Sequence, residues 1–190
     1  MVKENSLVEI RWHGRGGQGA VTSAELLAQA AISEGKYAQA FPSFGPERRG
    51  APVQAFNRID RQNPVKIRAD ITDPDFVVVL DPGLLSIVNV TSGLKANGRV
   101  IINTRKSPEK IKKEFGIKHP VATVNATRIA REKLGVNIVN TTMLGAVIKV
   151  TGVVAKESVL APLDNRFGRL AERNVNAMQT AYDEVVIEER

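Results

Sequence analysis

The segment Gly14-Arg15-Gly16-Gly17-Gln18-Gly19 constrains the fold of this chain more than any other. It carries G-x-G-x-x-G at Gly14, Gly16 and Gly19. Before it, Leu7-Val8-Glu9-Ile10-Arg11-Trp12 alternates apolar and polar residues, which predicts a strand. After it, Val21 to Ser33 is rich in Ala and Leu at helical spacing, with Gly35 as a stop. A strand, a glycine turn and a helix make a Rossmann-like start to an α/β fold. Residues without Cβ permit a tight turn and close backbone approach to an anion. The amides of Gly16, Gly17, Gln18 and Gly19 would then point at that anion, helped by the helix dipole. The same glycines also suit plain helix-on-strand packing, and both readings stay open. A dinucleotide site further asks for Asp or Glu roughly 20 residues on, at the end of the second strand. Here the second strand candidate, Tyr37 to Phe41, ends without a carboxylate, and Glu34 and Glu47 fall off its end. NAD is therefore disfavoured.

The remaining pattern alternates strands with helices. Phe76 to Leu80 and Val100 to Asn103 are continuous apolar runs that predict strands covered on both faces. Val121 to Val124 is a further strand. Leu84 to Val90 is helix-like, and Ser107-Pro108-Glu109 carries the start signals of a helix. Thr127 to Leu134 reads as a helix ended by Gly135, and Thr141 to Val150 and Leu170 to Val186 as two more. Val53 to Ile59 and Val65 to Ile71 look like an antiparallel strand pair turning at Asp60 to Pro64. The expectation is one domain over 1–190, a three-layer α/β/α fold with a mostly parallel, mixed sheet.

Composition narrows the partners. A chain of 190 residues suits a single domain, given about 100–200 residues per domain. With no cysteine it can make no disulfide, no thiolate metal site and no iron–sulfur cluster of its own. No apolar run approaches the roughly 20 residues that span a bilayer, and residues 1–6 lack the apolar region of a signal peptide, so no membrane and a cytoplasmic setting are expected. The net charge of +7 admits a nucleic acid, an acidic protein or a polyphosphate ligand. Only 5% of residues are aromatic, and they do not interleave with the basic ones, which argues against nucleic acid.

A second unusual loop runs Phe44-Gly45-Pro46-Glu47-Arg48-Arg49-Gly50-Ala51-Pro52. Its arginines, Arg48 and Arg49, have the planar donor fork that suits phosphate or carboxylate. A self-paired surface loop is the alternative. Taken with His13 to Val21 and with Asn140-Thr141-Thr142-Met143-Leu144-Gly145-Ala146, this block closely resembles the gamma subunits of 2-oxoacid:ferredoxin oxidoreductases. The pyruvate branch, or pyruvate synthase, is the best match, and the likeness covers nearly the whole chain.

The resemblance implies a subunit that is inactive alone, in a complex of alpha, beta, gamma and delta chains that passes electrons to ferredoxin. Thiamine diphosphate and iron–sulfur clusters would sit in the companion chains of that heterotetramer. This chain would hold neither, and would lie beside coenzyme A. Gly14, Gly16, Gly17, Gln18 and Gly19 would cradle a phosphate of the coenzyme or a partner carboxylate. Arg48 and Arg49 would steer the polyanion or clamp a neighbouring subunit. Asn140 and Thr141 would cap their helix and face the same cleft, a plain N-cap pair being the other reading. A 2-ketoisovalerate enzyme and a free-standing nucleotide-binding module are the alternatives. No catalytic residue and no metal site can be assigned. His13 could contact the ligand of the loop or be structural, and Asp81 reads equally as a ligand group at a strand end or a helix cap.

Overall fold

The apolar runs at 76–80 and 100–103 lie side by side in the middle of a seven-stranded sheet. A computed structural model of the chain describes residues 6–43 and 50–189. Its strands are β1 (Leu7–Arg15), β2 (Tyr37–Pro42), β3 (Pro52–Asp60), β4 (Phe76–Val79), β5 (Arg99–Asn103), β6 (Val121–Val124) and β7 (Val186–Ile187). Its helices are α1 (Ala20–Ser33), α2 (Pro108–Phe115), α3 (Ala126–Leu134), α4 (Asn140–Thr151), α5 (Leu160–Phe167) and α6 (Ala171–Glu184). The sheet order is β2-β3-β1-β4-β5-β6-β7. Strands β1, β4, β5 and β6 are mutually parallel, as the crossover pattern requires. Strand β3 is inserted antiparallel between β2 and β1, and β7 closes antiparallel on β6. The sheet is thus mixed, with its parallel order held at the centre.

Strand alternation divides the core into two. Ile10, Trp12, Val78, Leu80, Ile101 and Val124 face the layer of α1, α3, α4, α5 and α6. Val77, Val79, Val100, Ile102 and Val121 face the other way, towards Leu84, Val90 and Ile111. The second layer is thinner, made of α2 and the segment between β4 and β5. In the thick layer, α4 crosses α6 so closely that a Cβ on Gly145 would stand 1.9 Å from the Met178 carbonyl oxygen. Trp12 Nε1 donates to Asn57 Oδ1 at 2.8 Å, and Asn57 Nδ2 donates to the Ala24 carbonyl at 2.8 Å. One buried amide thereby ties β1, β3 and α1 together.

Several expectations need correction. Val65 to Ile71 is not a strand. Its carbonyls are taken up by side chains instead of a ladder. Gln39 Nε2 donates to Val65, and Arg58 to Ile67 and Ala69. Arg11, on β1, donates to Ile71, Thr72, Val90 and Ser92 at 2.5–3.3 Å. Leu84 to Val90 is instead a 3-10 turn at Pro82–Ser86, whose start Asp81 caps by accepting from Gly83 N. The helix expected to reach Val186 stops at Glu184, and Val186–Ile187 pairs with β6. Helix α5 is only eight residues long and carries Pro162 in its first turn, and the sequence did not reveal it.

Arg11 is only 6% exposed. Burial draws its guanidinium below the ordinary value, Asp73 pulls it back, and an arginine stays charged through the physiological range. Replacing it strands four buried or half-buried carbonyls. Arg11→Leu is expected to lower stability by about 3 kcal/mol, read as a shift of the urea midpoint at unchanged slope. A loss below about 0.5 kcal/mol would show that water replaces the guanidinium at little cost.

Candidate functional site

Strand β1 carries the glycine segment out of the sheet. Gly14 still pairs with Val53, Arg15 with Pro52, Gly16 adds a bridge, and the turn begins at Gly17. Gly17 and Gly19 have φ of +92° and +81°, a left-handed backbone that other residues enter only with strain. A Cβ on Gly19 would also stand 2.7 Å from Asn140 Nδ2. A Cβ on Gly14 would lie 3.3 Å from Leu80, so this glycine serves helix–strand packing.

The three blocks that stood apart in the sequence converge here. Gly16 N donates to the Ala51 carbonyl at 2.9 Å, and Gly50 N donates to the Gly16 carbonyl at 3.2 Å. The second loop is thus stitched to the first. Asn140, opening α4, abuts Gly19, and Ser23 Oγ of α1 donates to the Asn140 carbonyl at 3.2 Å. Arg48 and Arg49 lie outside the described residues.

The cradle itself is partly occupied. Gly16 N is used by Ala51, and Gln18 N donates to the Arg15 carbonyl at 3.0 Å. The amides of Gly17 and Gly19 have no hydrogen-bond acceptor among the described residues. The Gln18 side chain accepts from Arg15 N at 2.8 Å and donates to Asp81 Oδ2 at 3.2 Å. Arg15 Nε donates to the same oxygen at 2.8 Å, and Arg15 also reaches the Gly50 carbonyl. Asp81, just past β4, thus locks the loop to the neighbouring strand end. The sequence marked Asp81 as cap or ligand group. It is a cap, and its second oxygen is spent on Arg15 and Gln18.

Asn140 and Thr141 are not an N-cap pair. Val139 occupies the cap position with no side-chain hydrogen bond, and Asn140 Oδ1 accepts from Thr141 N. Thr141 is fully buried and donates to Asn174 Oδ1 on α6 at 2.8 Å. His13 is buried on the same face of β1 as Arg11, whose Nε donates to His13 Nε2 at 3.2 Å. That bond needs the neutral ring with its proton on Nδ1. Burial, and secondarily the Arg11 charge, push the imidazole down to about 3. His13 is structural.

Beside the loop, at the carboxyl ends of β4, β5 and β6, opens a cleft of about 730 Å³. This is where open α/β sheets bind ligands. Gly83, Asn103, Arg105, Lys106, Arg128 and Arg131 are among its lining. The first amides of α3 are taken: Thr127 N by Asn103 Oδ1 and Arg128 N by Asn125 Oδ1, both at 3.1 Å. Anion recognition in the cleft therefore falls to side chains. Lys106 pairs with Glu114 and Arg128 with Glu132 and Glu184, whereas Arg105 has no ion pair among the described residues. The sequence did not reveal this cleft, since its lining is spread from Pro82 to Glu132 with no local motif. Among the described residues, no group of three or more His, Asp or Glu could hold a metal ion. None of their helices is long and apolar enough to cross a membrane.

Comparisons with known proteins agree along the full chain. A family model described as pyruvate ferredoxin/flavodoxin oxidoreductase matches residues 9–184. The chain is 54% identical to the pyruvate/ketoisovalerate oxidoreductases common subunit gamma of Pyrococcus abyssi, covering 95% of this chain and 98% of that one. It is 51% identical to the pyruvate synthase subunit PorC of Methanocaldococcus jannaschii, over 95% and 98%. The crystal structure of the pyruvate oxidoreductase subunit PORC of Thermotoga maritima superimposes with a TM-score of 0.87 at 40% identity, covering 97% of this chain and 99% of that one.

The buried His13 makes stability depend on pH. Its folded value, about 3, lies below the ordinary 6.5, so the unfolded chain binds a proton that the folded chain refuses. The stability His13 confers is complete above pH 6.5 and is lost as pH falls towards 3. Between pH 6 and 4 the wild type should lose about 1 kcal/mol per pH unit more than His13→Gln, measured by urea unfolding at each pH. Parallel pH profiles would rule out a neutral buried ring.

Proposed function

The chain belongs to the pyruvate ferredoxin/flavodoxin oxidoreductase family, and on that footing we propose that it is the gamma subunit of a cytoplasmic enzyme that converts pyruvate, coenzyme A and oxidised ferredoxin to acetyl-coenzyme A, carbon dioxide and reduced ferredoxin. Its companions are the alpha, beta and delta chains, and it is inactive by itself. Thiamine diphosphate, which would supply the chemistry at the 2-oxoacid, and iron–sulfur clusters, which would carry the electrons, are assigned to those companions. A chain without cysteine has no thiolate to offer a cluster.

The contribution of this chain is to the coenzyme A side of the active site. The observation that carries the reading is the meeting of three distant sequence blocks beside a basic cleft. Gly16 touches Gly50 and Ala51, Gly19 touches Asn140, and the Asp81 lock joins the loop to Gly83 on the cleft wall. A polyanionic coenzyme fits a cleft of about 730 Å³ that holds Arg105, Lys106, Arg128 and Arg131. The Gly17 and Gly19 amides supply further donors, and Arg48 and Arg49 are assigned the same role from their guanidinium chemistry alone. The described residues in this region bind and orient. None is arranged as a nucleophile with a base.

The choice of 2-oxoacid then falls to the companion chains, and a common subunit, as in the Pyrococcus relative, is the second reading. A free-standing nucleotide-binding module is set aside, because the relatives matched along their whole length are named as subunits.

Two measurements test this. In the assembled enzyme, Arg48→Ala with Arg49→Ala, and separately Arg105→Ala, should raise the coenzyme A KM roughly tenfold, a loss of about 1.4 kcal/mol, while kcat and the pyruvate KM stay near wild type. An unchanged coenzyme A KM in all of these intact variants would refute the coenzyme reading. In the second, the tagged chain is isolated from its own cells. Recovery of both pyruvate and 2-ketoisovalerate oxidation would establish sharing, and recovery of pyruvate oxidation alone would exclude it.

A further inference from the structure

The coenzyme reading leaves Thr141 and its bond to Asn174 unexplained. Thr141 Oγ1 donates to Asn174 Oδ1, and Asn174 Nδ2 donates to the Leu170 carbonyl at 2.9 Å. This buried chain of bonds fixes the turn before α6 against the start of α4. Between them lies a second pocket of about 320 Å³, lined by Leu134, Val136, Ile138, Phe167 and Leu170 along with Asn140, Arg173 and Asn174. The pocket is mostly apolar, yet Val136, Ile138 and Leu170 are 46%, 46% and 49% exposed. Clustered, half-exposed aliphatic side chains around a rigid hollow are costly to leave in water.

Its one charged lining residue is basic: Arg173, which has no ion pair among the described residues. A second copy would bring this cation against itself, in a chain of net charge +7. The complementary surface is an apolar side chain flanked by carboxylates.

We propose that this pocket, walled by α3, the turn after α5 and the first turns of α4 and α6, is a socket for a companion subunit of the same oxidoreductase. The companion inserts one or two large apolar side chains, carried on a segment with Asp or Glu that meets Arg173. This rests on the gamma-subunit reading above. Thr141 is then a positioning residue: it holds the socket wall through Asn174 and does not touch the companion.

The test uses the complex rebuilt from this chain and its companion subunits. Ile138→Glu with Leu170→Glu changes only exposed side chains, and Arg173→Glu inverts the rim charge. Each is expected to weaken binding to the companions at least tenfold, with thermal midpoints of the isolated chains near wild type. Ile67, more exposed than either, lies on the segment covering the other face of the sheet, and Ile67→Glu should bind as wild type does. Hydrogen exchange on the unmodified chain needs no variant. Amides of 134–138 and 167–174 should be protected in the complex relative to the free chain. Wild-type binding by both variants, or no added protection, would overturn the proposal. So would a free wild-type chain that dimerises through this pocket, the dimer being lost in the variants. Failure of the wild-type chain to bind any companion would instead overturn the gamma-subunit reading, so the two failures are distinguishable.

Discussion

The buried guanidiniums of Arg11 and Arg58 hold the side of the sheet that helices leave bare. Around β1 and β3, one face is packed by α1 and its neighbours, while the other meets irregular chain. Irregular chain carries backbone carbonyls that a buried surface must satisfy. Arg11 and Arg58 do so for residues 67–72 and 90–92 without any strand or helix forming there. Glu9 Oε1, 2.8 Å from Arg58 Nε, and the Lys95–Asp75 pair at 2.9 Å surround this polar seam with opposite charge. The two irregular segments also touch, since a Cβ on Gly93 would stand 2.0 Å from the Thr72 carbonyl oxygen. Charge-assisted bonds thus do here what a helical layer does elsewhere.

That seam reaches the candidate site through β1 itself. The same strand presents Arg11 and His13 to the seam and then turns out at Gly17 into the loop. The end of β4 is fixed in turn by Asn103 Nδ2, which donates to the Leu80 carbonyl at 2.9 Å, and by the capping of Gly83 by Asp81. Glycine loop, second loop and cleft wall are therefore held by one continuous set of bonds running across the carboxyl ends of the parallel strands.

Local signals in the sequence were legible where local physics decides. The β-branched runs gave β4 and β5, Ser107-Pro108 marked α2, and Gly135 ended α3 with φ of +73°. Val65 to Ile71 misled because its apolar residues suggested a ladder, while the groups that satisfy its backbone, Gln39, Arg58 and Arg11, lie on other strands. Arg11 stands at a polar position of an alternating strand. One clue was present: a strand that opens a parallel crossover fold is flanked on both sides, so its polar positions need partners. The loops of the site could be read from glycine and arginine chemistry. The cleft could not, because Asn103, Arg105 and Arg128 meet only once three strand ends are aligned.

Strand β7 is short, yet it carries Glu188 to the edge of β6. There Glu188 accepts from Val121 N and from Lys112 Nζ, and its carboxyl is held below the usual range despite its burial. The edge that β7 covers was laid down more than 60 residues earlier in the chain, and α3 to α6 intervene. Sealing the sheet therefore closes a chain loop that contains all four of those helices. Helix α6 runs straight into β7, so an opening of the helical layer that frees α6, such as loosening of the α4–α6 contact at Gly145, also frees β7 and bares the backbone edge of β6. Unfolding of one layer and stickiness of the other are therefore a single event, and the partly opened chain is the species most prone to join its own kind edge to edge.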